Sequence, residues 1–224
     1  MQTTKQLSVK GFFLPAIALC SLLLSGNAAY AALVTYSFTG SVSNVNGPLT
    51  PTVNMMSPVS GTFEFDNSPA VGGTYNGVVS NLTLNIGGYT STFAPGANSV
   101  SVFQAIPLGG GMTGDRWQLV TAATGSAING YSPFRFDLNL DKEGSLFANT
   151  NMQNPPSLGN PDFLTGARWR LLFENSDGVL RVQGALASLT AVPLPAAVIL
   201  FGAGLISLVG LGAGGLRNLR RPQA

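Results

Sequence analysis

The chain has no histidine, and its only cysteine is Cys20, near the N-terminus. Without an imidazole, a Ser-His-Asp triad, a histidine general base and a histidine zinc site are all excluded. A lone cysteine cannot form an intramolecular disulfide, so burial of apolar side chains must hold the folded body together. The sequence therefore predicts no catalytic residues, no metal and no cofactor.

Charged residues are also scarce, at 9% of the chain, and they are unevenly distributed. Five of the eleven basic residues lie in the first ten or the last eight positions. The interior keeps six basic residues against nine acidic ones, a net charge of about −3, so it offers no basic patch for nucleic acid. We predict no nucleic-acid partner and assign the basic ends to membrane targeting.

The N-terminus has the three parts of a secretory signal peptide. Lys5 and Lys10 form a basic region, residues 11–26 form an apolar region, and Ala29 and Ala31 are the small residues at positions −3 and −1 of a cleavage site. We predict cleavage after Ala31, which makes residues 1–31 the signal peptide. The alternative is an uncleaved anchor helix, against which the short apolar run and the small-residue exit both argue.

The C-terminus has the length and charge pattern of a membrane span. Residues 196–216 are uncharged, and as a helix they would be about 31 Å long, close to the ~30 Å thickness of the bilayer hydrocarbon. Pro193 and Pro195 mark the start of this helix, because proline cannot occupy a helix interior without loss of hydrogen bonding. A cytoplasmic C-terminus is predicted by the basic residues that follow: Arg217, Arg220 and Arg221.

A proline motif, a spanning helix and an arginine cluster follow one another over residues 192–224. The motif reads Val192-Pro193-Leu194-Pro195-Ala196. This order resembles the PEP-CTERM sorting signals of Gram-negative bacteria, in the variant written VPLPA. The resemblance implies an exosortase partner, a membrane-embedded protease-transpeptidase that cuts near the motif, and a link to exopolysaccharide and biofilm surfaces. Leu194 replaces the glutamate of the commonest form, which leaves the exosortase subtype open. A plain membrane anchor is the alternative.

The body, residues 32–191, reads as all-β. Stretches such as Phe63-Glu64-Phe65 alternate apolar and polar residues, and turn signals such as Asn67-Ser68-Pro69 and Gly109-Gly110-Gly111 separate them. About nine short strands and no convincing amphipathic helix predict an antiparallel β-sandwich, with a jelly-roll variant as the alternative. Residues 148–162 show no pattern and are predicted to form a surface loop.

Two groups of acidic residues are candidate sites. Glu64 and Asp66 share one face of a strand, where paired carboxylates serve glycoside hydrolysis, but a solvated strand face is the preferred interpretation. Asp137, Asp141 and Glu143, with Asn139, offer oxygen ligands for calcium. Their spacing fits no EF-hand, and a charged hairpin turn at Gly144 is preferred.

Aromatic side chains are the other candidates, because exposed rings stack on sugars. Trp117 and Trp169 each follow an arginine within a predicted strand, a pattern that favours a buried ring beside an exposed guanidinium. The tyrosines that share this candidacy are Tyr75, Tyr89 and Tyr131.

Together these patterns predict an exported, non-enzymatic protein. The precursor is expected in the inner membrane with its body in the periplasm, and the mature form at the cell surface or outside the cell. A carbohydrate-binding module that acts on exopolysaccharide is the alternative, and a hydrolase that uses carboxylates alone is the third hypothesis.

Overall fold

The structure is a computed structural model that describes residues 33–50, 52–68, 70–158 and 166–193. It contains ten strands and one short 3₁₀ helix, Gly47–Leu49. The strands are β1 Leu33–Val45, β2 Pro58–Asp66, β3 Thr74–Asn76, β4 Val79–Ile86, β5 Tyr89–Phe93, β6 Ser99–Gly109, β7 Met112–Gly125, β8 Ser132–Glu143, β9 Gly166–Asn175 and β10 Gly178–Val192. The all-β prediction is confirmed, and only the three-residue β3 was not predicted.

The sheet closes on itself at β7. Residues 123–125 of this strand pair with β5, and residues 115–122 pair with β8. Eight strands thereby form a closed antiparallel barrel in the order β7-β5-β4-β2-β1-β10-β9-β8. The earlier part of β7 also pairs with β6, which in turn pairs with β3, so these two strands extend the wall beside the ring.

The predicted sandwich, with its jelly-roll variant, is wrong in this respect. Side chains alternate between core and solvent in a barrel wall as they do in a sandwich, so the sequence pattern is the same for both. Closure is favoured by bulges in the β1–β10 and β8–β9 pairs, at Thr39/Gly40, Val42/Asn44 and Pro133/Arg135. A bulge bends its strand and increases the local twist, which lets the sheet curl until its two edges meet.

The barrel interior is filled by large aromatic side chains. Phe38 of β1 stacks on Phe136 of β8 with ring centroids 5.8 Å apart, and Phe63 of β2 lies 6.1 Å from Trp117 of β7. An eight-stranded barrel is just wide enough for side chains to fill it. Within the described residues the interior is therefore a packed core.

The described part of the predicted surface loop packs on one end of the barrel. Trp117 Nε1 donates a hydrogen bond to the Gln153 carbonyl (2.9 Å), and the Tyr75 hydroxyl donates to the Thr150 carbonyl (2.9 Å). Met152 is buried against the core. At the other end the 3₁₀ helix buries Leu49. These contacts keep water away from both ends of the aromatic core.

Both ends of the described chain lie at one end of the barrel, because Thr35 of β1 pairs with Val192 of β10. None of the described residues forms a helix with the length and apolarity needed to cross a membrane. The predicted span, residues 196–216, lies outside the described residues, as does the predicted signal peptide, residues 1–31.

Candidate functional site

Four arginines lie on the outer face of β7, β8 and β9, one in each of four successive cross-strand rows. Arg135 lies opposite Leu172, and the next rows pair Asp137 with Arg170 and Asn139 with Arg168. The fourth row pairs Arg116 of β7 with Asp141 of β8. We call Arg135, Arg170, Arg168 and Arg116, with Asp137 and Asp141, the arginine strip. Its rows are two residues apart along β8, about 6.8 Å.

The two aspartates draw the arginines together over β8. Asp141 accepts two hydrogen bonds from Arg116, from Nε to Oδ1 and from a terminal nitrogen to Oδ2 (2.9 Å). A terminal nitrogen of Arg168 lies 3.2 Å from the same Oδ2. Asp137 accepts Arg135 Nε at 2.6 Å and a terminal nitrogen of Arg170. Each carboxylate thus bridges two guanidiniums. Charge-assisted pairs of this kind fix the orientation of a guanidinium as well as stabilise it.

The strip presents positive charge outward and hides negative charge. The Asp137 and Asp141 side chains are 0% and 2% exposed, whereas those of Arg135 and Arg168 are 42% and 45% exposed. Four arginines against two aspartates leave a net charge of about +2. The strip is therefore a cationic surface whose arginines are held by two buried carboxylates.

Asp137 and Asp141 were the candidate calcium ligands. In the structure, both carboxylates pair with arginines instead. The described residues contain no group of three or more side chains arranged as a metal site. The predicted hairpin turn is also wrong, because β8 continues to Glu143 and pairs with β9 as far as Asp141 and Gly166. Gly144 does have positive φ, at 78°.

Glu64 and Asp66 are each used locally. Glu64 accepts hydrogen bonds from the hydroxyls of Thr35 (3.2 Å) and Ser80 (2.8 Å). Asp66 accepts the backbone N–H and hydroxyl of Ser68 at the end of β2. These partners, and the burial of Phe63 and Phe65 on the opposite face, agree with the preferred solvated strand face.

The tryptophans are buried rather than exposed for stacking. Trp117 and Trp169 are both 0% exposed, which confirms the preferred interpretation of the Arg-Trp pairs. Tyr75 and Tyr89 are also buried, and Tyr131 packs partly buried against the core. Burial raises the pKa of Tyr89 to about 12, and its hydroxyl donates to the Ser126 carbonyl (2.8 Å). A sugar-stacking platform built on these five rings is excluded.

Hydroxyl side chains cover the opposite wall of the barrel in two cross-strand rows. The first row is Thr190, Ser37, Thr62, Thr83, Thr92 and Thr124, each residue paired directly with the next. The second row is Ser188, Thr39, Ser60, Asn85 and Thr90. Neighbouring hydroxyls bond to each other, at 2.7 Å for Thr62 and Thr83 and 2.6 Å for Thr39 and Ser188.

A shallow groove of about 430 Å³ runs between these two rows. It crosses β1, β2, β4 and β5, and the backbone at Gly61 lies in its lining. No charged side chain lines it; the polar groups are hydroxyls and the amide of Asn85, and most of the exposed lining is apolar. We call this the hydroxyl groove. Its chemistry suits neutral ligands that combine hydroxyls with apolar surface, because hydroxyls both donate and accept hydrogen bonds.

Asp115, at the start of the β7–β8 pairing, binds the backbone of β6 and of the connection that follows β8. Its carboxylate accepts backbone N–H groups from Leu146 (2.7 Å), Phe147 (2.9 Å) and Ala105 (3.0 Å). Burial by itself raises the pKa of Asp115, but these three donors and nearby Lys142 outweigh burial and hold the pKa below its ordinary value of 3.8. Asp115 is thus a structural anchor, and sequence reasoning did not identify it.

The sorting residues are described only at their beginning. Val192 is the last residue of β10 and is 43% exposed, and Pro193 is exposed next to it. The rest of the sorting and signal-cleavage residues lie outside the described residues: Leu194, Pro195, Ala196, Arg217, Arg220, Arg221, Ala29 and Ala31.

The sequence did not predict the arginine strip, although strand alternation indicates the face on which two of its four arginines lie. Arg168 and Arg170 flank the buried Trp169, so alternation alone places both arginines on the outer face. Their contact with Arg135 and Arg116 depends on strand register, which no local pattern gives.

No protein-family model, no curated protein and no solved structure matches this chain.

Proposed function

We propose that this chain is an exported, non-enzymatic envelope or matrix protein, delivered through its C-terminal sorting signal. The signal peptide directs export of the body, residues 32–191, across the inner membrane. The helix at 196–216 stops transfer, and an exosortase cuts near the proline motif. The barrel then stays at the cell surface or enters the extracellular polysaccharide. The resemblance of residues 192–224 to PEP-CTERM signals is the basis of this proposal.

One structural observation supports it: the barrel ends where the sorting motif begins. The last buried core residue of β10 is Leu189, and the exposed Val192 closes the strand. A cut within residues 193–196 therefore removes no described core residue. The barrel can survive the loss of its membrane tail, as a substrate released from the membrane must.

We expect mature protein from cells with an active exosortase to have lost mass at both ends. Intact-mass spectrometry should find residues 1–31 absent and the chain ending near residues 193–196. A Pro193→Ala/Pro195→Ala variant should keep its C-terminal segment, because the motif is altered next to an otherwise unchanged helix. The matched control is Pro95→Ala, at an exposed proline of the β5–β6 connection. An intact helix in wild-type mature protein would refute the proposal.

A carbohydrate-binding module is the second candidate function, and the hydroxyl groove favours it. The groove is neutral, lies on the outer wall and is lined by hydroxyls from four strands. Sugar hydroxyls could exchange hydrogen bonds with such a lining without desolvation of any charge. This mode replaces the stacking mode that the buried tryptophans exclude.

Binding of neutral glucans in the groove should weaken about fivefold or more in a Thr62→Val/Thr83→Val variant, because two central hydroxyls are lost with little change of shape. An array of neutral glucan oligosaccharides, followed by titration calorimetry, measures this effect. Thr113→Val, on an exposed part of β7 away from the groove, is the control. Unchanged affinity in the double variant would remove the groove from consideration.

A further inference from the structure

We propose that the arginine strip binds a linear acidic polysaccharide, with sugar carboxylates seated on the guanidiniums of Arg135, Arg170 and Arg168. The inference rests on the proposed function in one respect, since such a polymer meets the barrel only after export. The site is distinct from the hydroxyl groove, because β8 and β9 lie across the ring from β2 and β4.

The outer layer of the strip consists of guanidinium groups. Arg135, Arg168 and Arg170 are 42%, 45% and 33% exposed, and the aspartates beneath them are at most 2% exposed. An incoming anion therefore meets cations first. The buried carboxylates are shielded by the arginines that they hold, so they repel that anion less.

The guanidiniums are also held in place before a ligand arrives. Arg135, Arg168 and Arg170 each place one nitrogen against a buried carboxylate, whereas a guanidinium has five N–H donors. Terminal nitrogens therefore remain for a ligand carboxylate in the fork geometry that arginine favours, whereas Nε of Arg170 is buried and lies out of reach of a ligand. Because the side chains are already ordered, less conformational entropy is lost on binding.

The spacing of the strip favours one class of polyanion. Its guanidiniums lie in two pairs, one on Asp137 and one on Asp141, and these two aspartates are four residues apart along β8, about 14 Å. Duplex DNA carries one charge about every 1.7 Å along its axis, which the strip cannot match. A polymer with one carboxylate per sugar has a sparser charge, and carboxylates on rings some distance apart along the polymer can reach the two pairs of guanidiniums.

The rest of the barrel directs such a polymer to this face. Outside the strip, the described residues carry two basic side chains, Lys142 and Arg181, and six acidic ones, a net charge of about −4. A polyanion is repelled elsewhere and attracted only at the strip, whose net charge is about +2. This asymmetry fixes the binding face.

Groups that suit sugar hydroxyls border the strip at Arg168. A shallow pocket of about 250 Å³ is lined by Arg168, by Ser43 of β1 and by Gln183 of β10. A hydroxyl and an amide beside a guanidinium provide both donors and acceptors for the ring that carries the carboxylate. This combination is expected for an acidic sugar rather than for a bare inorganic anion.

The test uses the protein purified in the form in which it accumulates in cells, with polygalacturonate as the probe. Carboxyl-reduced polygalacturonate is the neutral comparison and duplex DNA the second polyanion. We expect binding to polygalacturonate that weakens as salt rises, and at least about tenfold weaker binding to the two comparison polymers. Circular dichroism on each variant shows whether the barrel is folded.

The decisive variant is Arg135→Gln/Arg168→Gln. It leaves Asp137 paired with Arg170 and Asp141 paired with Arg116, so neither buried carboxylate loses all its partners. We expect affinity for polygalacturonate to fall about tenfold or more, because two charge-assisted contacts are lost. Arg181→Gln removes one positive charge at an exposed position of β10, outside the strip, and should leave affinity within about twofold.

Three results would overturn the proposal: equal binding to the carboxyl-reduced polymer, wild-type affinity in the double variant, or DNA binding as tight as polygalacturonate binding. These results are separate from the fate of the sorting signal, which mass spectrometry measures. Failure of binding with normal processing would refute only the ligand, and binding without processing would refute only the proposed delivery.

Discussion

Replacing Gly184 with alanine is expected to break the seam between β1 and β10. A Cβ at Gly184 would lie 1.8 Å from the Ser41 carbonyl oxygen and 3.0 Å from Trp169 Nε1. The first contact is with backbone, so no side-chain rotation relieves it. On the facing strand, a Cβ at Gly40 would lie 2.3 Å from the Ala185 carbonyl oxygen, so both strands approach too closely for a side chain.

The expected loss is about 3 kcal/mol or more of unfolding free energy, at or above the upper end for overpacked sites, because a barrel strand has to move. Urea denaturation followed by tryptophan fluorescence measures it. Gly47→Ala is the matched control, since nothing lies within 4 Å of a Cβ there, and it should change stability by less than about 0.5 kcal/mol. Equal stability of the two variants would contradict the close packing of the seam.

Replacing Asp115 with alanine is expected to release the connection that follows β8. The carboxylate accepts three backbone N–H groups, from Ala105, Leu146 and Phe147. Each buried donor left without a partner costs about 1–3 kcal/mol, and water entering the space left by the side chain will offset part of this. We expect a net loss of about 3 kcal/mol at neutral pH, measured by urea denaturation.

The same variant should alter the acid dependence of stability. The pKa of Asp115 is lower in the folded protein than its ordinary value of 3.8, so the folded state favours the ionised form. Its stabilisation is complete above the ordinary pKa and is lost as the pH falls through the folded pKa. The difference in unfolding free energy between wild type and variant should therefore be constant near neutral pH and shrink below about pH 4.

Glu143→Gln is the control for this prediction, because Glu143 is an exposed acid at the end of the neighbouring strand. It should change stability by less than about 0.5 kcal/mol. A wild-type-minus-variant difference for Asp115→Ala that stays constant through acid would show that the carboxylate charge is not what holds the connection.

Strand positions were predictable because their signal is local. Phe63 and Phe65 alternate with Glu64, and the structure buries the two rings and leaves the carboxylate on the outer face. The same holds for Trp169 between Arg168 and Arg170. Each assignment needs only the two-residue period of a strand, so one sequence suffices.

The candidate surfaces were not predictable, because they are formed by residues far apart in the chain. Asp141 meets Arg116 across 25 positions, and Asp137 meets Arg170 across 33. Thr62 meets Thr83 only through the register of β2 with β4. A shift of one residue in either pairing would send these side chains to the other face.

The sequence by itself determined that this protein is all-β and that its Arg-Trp pairs bury the rings. Because the chain has no histidine, the sequence also excluded histidine-based catalysis and metal binding. Composition and local alternation carry that information. Only the tertiary structure decided that the sheet closes into a barrel, that four arginines converge over two buried aspartates, and that hydroxyls form two rows. The physical reason is that closure and register follow from long-range strand pairing, at β7 with both β5 and β8, which has no local signature in the chain.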